Sequence, residues 1–236
     1  IASLPKSGIR DFFELVNSMQ DVISLGIGEP DFDTPWHIRE ATIYALNRGF
    51  TSYTSNLGDP RLRKAVCNYA KKRFGLEYRP DSECIITVGV SEGLDLALRA
   101  VLNPGDEVLY HEPCYVSYAP SIRMTHAVPV PVQTYEKNDF VLQVSDLEAK
   151  LTDRTRVLLL NYPNNPTGAG LTADDKKALA DFAIRHNLLV ISDEIYEELS
   201  YIPRSPSIAS LPGMRERSIV LNGFSKAFAM TGYRIA

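Results

Sequence analysis

From about residue 84 the chain alternates short apolar runs, rich in Val, Ile and Leu, with longer amphipathic stretches. That alternation predicts an α/β fold, a mostly parallel sheet flanked by helices. The predicted strands are Cys84 to Val88, Glu107 to His111, Val128 to Val132, Val157 to Leu160, Leu188 to Ser192 and Ser218 to Leu221. Between them, Ser91 to Leu102 carries apolar side chains at 94, 97, 98, 101 and 102, the spacing of one helix face. Thr172 to His186 opens with Thr172 and Asp175, the reciprocal pair of a capping box. Asp59 to Phe74 reads as a helix with Pro60 in its first turn, and Asn103-Pro104-Gly105-Asp106 as the turn that ends the Ser91 helix. Residues 1–35 lack the alternation and read as an arm and loop, which leaves 36–236 as one large folded unit.

Composition narrows the class without choosing a function. The 236 residues are 44% hydrophobic and 23% charged, which excludes disordered and collagen-like chains. A domain of this size buries roughly 70 to 75% of the surface its unfolded chain exposes. With 25 Lys+Arg against 29 Asp+Glu, the net charge of −4 removes the electrostatic case for nucleic acid or an anionic membrane as partner. No apolar run approaches the roughly 18 residues of a membrane span. The chain opens on Ile1 without a cationic, apolar leader, so a soluble, cytoplasmic protein trimmed at its front is expected. Cys67, Cys84 and Cys114 lack metal-ligand spacing and the four histidines stand singly, so reduced thiols and no metal site are expected.

In open α/β sheets ligands bind beyond the carboxyl ends of the strands, so the informative residues are those that follow each strand. After Val88, Gly89-Val90-Ser91-Glu92 begins a helix and offers backbone N–H groups to an anion such as phosphate. After Leu160 comes the loop Asn161-Tyr162-Pro163-Asn164-Asn165-Pro166-Thr167-Gly168, and after Ser192 come Asp193 and Tyr196. After Leu221, Asn222-Gly223-Phe224-Ser225 delivers Lys226 to the same edge. Each alone has an ordinary reading as a cap, a turn or a solvated charge. Together they match the needs of pyridoxal phosphate: an amine for its aldehyde, a carboxylate for its ring nitrogen, donors for its phenolic oxygen and a cradle for its phosphate.

The run from Gly223 through Lys226 to Ala236 resembles the signature around the cofactor lysine of class I/II aminotransferases, pyridoxal-phosphate enzymes of fold type I. Ser24 to Pro35, Tyr53-Thr54 with Gly58, Asn103-Pro104-Gly105-Asp106, Asn165-Pro166-Thr167-Gly168 and Ser192 to Tyr196 are similar to further family motifs, in family order, and the nearest branch is the aspartate/aromatic one. The resemblance implies a seven-stranded-type sheet and a division into an N-terminal arm and substrate loop, 1–35, and a pyridoxal-phosphate-binding large domain, 36–236. In the family a smaller domain follows, bearing the arginine that grips the substrate α-carboxylate, and no residue here matches that arginine.

Carried over by position, Lys226 would form the Schiff base and shuttle the proton, Asp193 would pair with the ring nitrogen, and Asn165 and Tyr196 would donate to the phenolic oxygen. Tyr115 would stack on the ring. Val90, Ser91, Ser225 and Arg234 would hold the phosphate, Tyr53 would reach a neighbouring subunit's phosphate in a homodimer, and Gly28 and Asn165 would meet the substrate. Gly223 departs from the serine many members carry three residues before the lysine, which puts one phosphate contact in doubt. The implied reaction is ping-pong transfer of an amino group from an amino acid to a 2-oxo acid. A carbon-sulfur β-lyase or a decarboxylase on the same apparatus, or a cofactor-binding fragment without turnover, are the alternatives.

Overall fold

The computed structural model describes residues 28–201 and 206–236, together with 19, 23 and 26, so most of the arm expected over 1–35 lies outside the described residues. One sheet is built from β1 (Glu107–Glu112), β2 (Val128–Gln133), β3 (Thr155–Asn161), β4 (Leu189–Asp193) and β5 (Ser218–Leu221). The strands lie in the order β2-β1-β3-β4-β5 and every pairing is parallel.

The strands read as near-continuous apolar runs because both faces of the sheet are covered. Side chains alternate across β3: Val157 and Leu159 pack with Leu94, Leu98 and Ile122 on one face, Leu158 and Leu160 with Leu179 and Phe182 on the other. The first face is covered by α3 (Gly89–Val101) and α4 (Tyr118–Met124), the second by α6 (Ala173–Arg185) with the short α5 (Val144–Glu148). The remaining helices are α1 (Trp36–Asn47), α2 (Pro60–Phe74) and α7 (Phe224–Ala227). Among the described residues, no helix is long and apolar enough to cross a membrane.

Local chemistry sets the helix ends. Asp59 caps α2 by accepting from the Arg61 N–H at 2.8 Å, and α6 carries the capping box, with Thr172 and Asp175 bonding each other's backbone. The helix expected from Ser91 starts two residues earlier, at Gly89. Helix α1, absent from the sequence reading, has no buried residue, and Trp36, Ile43, Tyr44 and Leu46 are all exposed.

Cys84–Val88 corrects an expectation, and with it the seven-stranded-type sheet becomes five ladder-forming strands among the described residues. The segment lies outside the ladder. The Ile86 N–H donates to the Leu57 carbonyl at 2.9 Å, and Thr87 exchanges two backbone bonds with Ala236 at 2.8 and 3.0 Å. A reciprocal pair at one residue is a single antiparallel rung, and strand propensity without a run of partners makes no ladder. Gly58 lies against this segment, with φ of +96° and Ile86 Cγ1 only 2.5 Å from where a Cβ would stand, so glycine is required there.

Candidate active site

Strand order reverses between β1 and β3, and the crevice outside their carboxyl ends is where the candidate residues meet. Asn161 ends β3 and Asp193 ends β4, opposite each other in register. Asn161, 1% exposed, links three segments. Its N–H donates to His111 Nε2 at 3.1 Å, its side-chain amide donates to the Asp193 carbonyl at 3.0 Å, and its Oδ1 accepts from the Asn165 N–H at 3.1 Å. Burial holds His111 down at about 4, so the ring is neutral, and the acceptor role of Nε2 assigns its proton to Nδ1, which faces the Pro113 carbonyl at 3.3 Å.

Asp193 is 5% exposed. Its Oδ2 accepts from the Tyr118 hydroxyl at 2.7 Å and its Oδ1 from the Ile195 N–H at 3.2 Å. Burial pushes its carboxyl up to about 6, while these two donors pull the other way. Beside it, the Tyr196 hydroxyl accepts from the Asn165 amide at 3.3 Å, and burial raises that phenol above its ordinary range. Tyr115 is 37% exposed, its ring edge-on to Tyr118 with centroids 5.7 Å apart.

The lysine arrives from the other side. Strand β5 runs into α7, and Lys226, partly buried, lies with Nζ 5.8 Å from the centre of the Tyr196 ring and donates to the Gly28 carbonyl. Burial holds its amine below the ordinary lysine range, opposed by the charge of Glu29 and helped by that of Arg234. The front loop is tied to this turn at two more points: the Thr34 hydroxyl donates to the Ala229 carbonyl at 2.6 Å, and that of Thr231 to Glu29 Oε2 at 3.0 Å. Gly28 thus joins a lysine 198 positions away.

At the third corner, the N–H groups of Val90 and Ser91 lie in the first turn of α3, with no carbonyl a turn earlier to bond. The Arg234 guanidinium sits against that turn: a Cβ on Gly89 would stand 2.9 Å from its Cζ, and the φ of Gly89 is +74°. Arg234 itself holds a left-handed φ of +55° and donates to the Thr231 carbonyl at 3.0 Å. Gly223 is extended, so conformation does not demand glycine, and a side chain there would be tightly packed. An added Cβ would lie 3.0 Å from Ala236 Cβ and 3.1 Å from Ile195 Cδ1. Ser225 stands in α7 one residue before the lysine. Tyr53 is fully exposed and is not brought to the others within one chain.

A lysine, a buried carboxylate and an arginine at a helix N-terminus converge on one sheet edge, and the sequence model of aminotransferase class I and II matches residues 20–236. The chain belongs to that family. It is similar to aromatic-amino-acid aminotransferase 2 of Thermococcus litoralis, 48% identical over 97% of the chain and 59% of the relative. The aspartate aminotransferase of Pyrococcus abyssi matches with the same identity and coverage. Among solved structures, the aromatic aminotransferase of Pyrococcus horikoshii superposes with a TM-score of 0.90 at 50% identity, over 96% of this chain and 60% of that one. The aspartate aminotransferase of Thermus thermophilus with maleate gives 0.93 at 38%, over 99% and 62%. The chain thus spans about three fifths of the length of these aminotransferases.

Pyridoxal phosphate is the cofactor of this family, and the residues present fit it. Among the described residues no cation pairs with the buried Asp193, so a cationic ring nitrogen would supply the missing charge. The arginine and free N–H groups at α3 suit a phosphate. Tyr118 and His111 have no role in the sequence reading, which names Asn161 only as the head of its loop. The signal that could have found Tyr118 is that a buried tyrosine needs a partner for its hydroxyl, but nothing in the sequence names Asp193, 75 positions on, as that partner.

Proposed function

We propose that the protein is a pyridoxal-phosphate-dependent aminotransferase that moves an amino group from an amino acid to a 2-oxo acid. The observation that carries this reading is that Lys226 lies over the Tyr196 ring while the buried Asp193 acts electrostatically on the Tyr196 phenol beside Asn165. When bound, pyridoxal phosphate supplies an aldehyde that condenses with amines and a ring that accepts the electron pair left at the substrate α-carbon. The chain's residues supply the rest. Burial of Lys226 Nζ enlarges its unprotonated fraction, which makes it the nucleophile and afterwards the base that carries a proton to and from the α-carbon. Asp193, whose Oδ2 and Oδ1 are fixed by their two donors, would supply the negative charge for the ring nitrogen. Tyr196 and Asn165 would orient the phenolic oxygen, Tyr115 would stack, and Val90, Ser91, Ser225 and Arg234 would hold the phosphate. Gly28, with Asn165, meets the substrate.

The domain division proposed is the arm and substrate loop over 1–35 and the cofactor-binding large domain over 36–236. A homodimer is proposed because Tyr53 and the apolar side chains of α1 are left exposed by the described residues. The cytoplasm is the proposed compartment. Because the named relatives act on aspartate and on aromatic amino acids, those two classes are the first substrates to assay. Incubation with pyridoxal phosphate, borohydride reduction and peptide mass mapping should put the label on Lys226, and Lys226→Ala should lose both the label and at least about 10^4-fold in turnover. Labelling at another lysine would overturn the assignment.

A further inference from the structure

We infer that Tyr118 is a positioning residue, whose phenol fixes the Asp193 carboxylate in the orientation and the ionised form that a cationic ring nitrogen requires. This rests on the pyridoxal-phosphate reading given above. Tyr118 is the first residue of α4 and is 2% exposed. Its ring packs in the cluster of Leu98 and Ile122, where a phenylalanine would pack as well, so packing does not account for the hydroxyl. What accounts for it is Asp193 Oδ2, 2.7 Å away.

The two oxygens of Asp193 are held from opposite directions. Oδ1 takes the Ile195 N–H from the continuation of its own strand, while Oδ2 takes the phenol from across the switch point. A carboxyl so held cannot rotate without losing a bond, and protonating either oxygen would set a second hydrogen against one of the donors. The two donors therefore favour the anion against the burial that raises the carboxyl. No compensating charge stands nearby among the described residues. Among the described residues, the titratable groups facing the pair are Cys114, Tyr196 and Tyr115, the last edge-on to Tyr118, and all three are neutral when protonated. From β3 comes only the Asn161 amide, bonded to the Asp193 carbonyl, backed by the neutral His111. Burial keeps the Tyr118 phenol protonated far above its ordinary range, so it remains a donor at every working pH. In the absence of a cationic neighbour, the phenol is the side-chain group that offsets the burial of this carboxylate.

The test uses the full-length protein as wild type, Tyr118→Phe, Asp193→Asn and the double variant, and measures the dissociation constant of pyridoxal phosphate by equilibrium dialysis across pH. Tyr118→Phe should weaken binding about 10- to 100-fold, the scale of a hydrogen bond to a charged group. The acid limb of the binding profile should move up by about one pH unit. In the Asp193→Asn background the same change should cost less than about threefold. Equal penalties in the two backgrounds, or a Tyr118→Phe profile matching wild type, would overturn the proposal while leaving the cofactor reading intact. Wild-type protein that takes up no pyridoxal phosphate would overturn both.

Discussion

Asp193 and Glu194 are consecutive, both buried, both raised in pKa by that burial, and they point to opposite faces of the end of β4. Asp193 faces the crevice and takes its donors from Tyr118 and the Ile195 backbone. Glu194 faces inward, where its Oε1 accepts from the hydroxyls of Ser192 at 2.9 Å and Ser207 at 2.6 Å while Oε2 has no hydrogen-bond partner among the described residues. One carboxylate is braced and still able to meet a ligand; the other ties the turn at 207–210 to the strand. Burial alone does not mark a functional acid. What distinguishes the two is the direction of the unused valence, toward a crevice or toward the core.

The widest separation between them should appear in catalysis. Asp193→Asn should lower kcat/KM by about 10^2- to 10^3-fold, the cost of removing one fixed charge partner from a developing charge. Glu194→Gln should stay within about threefold, and steady-state kinetics with aspartate and an aromatic amino acid would measure both. Equal losses at the two positions would erase the distinction.

The next effect is on stability and depends on pH. The folded-state pKa of Asp193, about 6, lies above its ordinary 3.8, so the folded protein holds the proton more tightly than the unfolded chain. That contribution is fully present below 3.8 and is lost as pH rises through about 6. It amounts to about 3 kcal/mol, at 1.36 kcal/mol per unit. The cofactor-free Asp193→Asn variant should therefore gain in melting temperature relative to wild type as pH rises across that window. A difference that stays constant from acid to neutral pH would show that ionised Asp193 carries no such cost, and would count against the need for a cationic ligand.

The smallest effect sharpens the structural role of the inner carboxylate. Glu194→Ala leaves the Ser192 and Ser207 hydroxyls without their acceptor and should cost about 1 to 3 kcal/mol, read from denaturant midpoints. Glu194→Gln keeps an acceptor and sheds the buried charge, so it should cost under about 1 kcal/mol. A Gln variant as unstable as the Ala variant would mean that the charge itself is needed.

The sheet was legible because burial on both faces writes each strand as an apolar run with turn residues between, and all five strands fall on predicted segments. Cys84–Val88 carries the same composition, yet a strand is a relation between segments and composition cannot report the partner. Helix α1 went unread because its apolar residues Trp36, Ile43, Tyr44 and Leu46 cover no core among the described residues. In the site, Lys226 and Asp193 were legible from their place after a strand, whereas Tyr118 lay in a stretch readable as ordinary helix packing and Asn161 at the head of a loop whose later residues drew attention.

By itself the sequence determined the order of the five strands and the three long helices between and before them, the strand ends at which chemistry collects, and the residue types gathered there, because periodicity and turn chemistry are local. Tertiary structure alone decided that Asp193 is braced by a phenol 75 positions away, that Lys226 meets Gly28 across 198, and that Gly89 must lack a side chain where Arg234 lies. Charge state, fit and pairing depend on desolvation and on distances between segments, and a linear pattern contains neither.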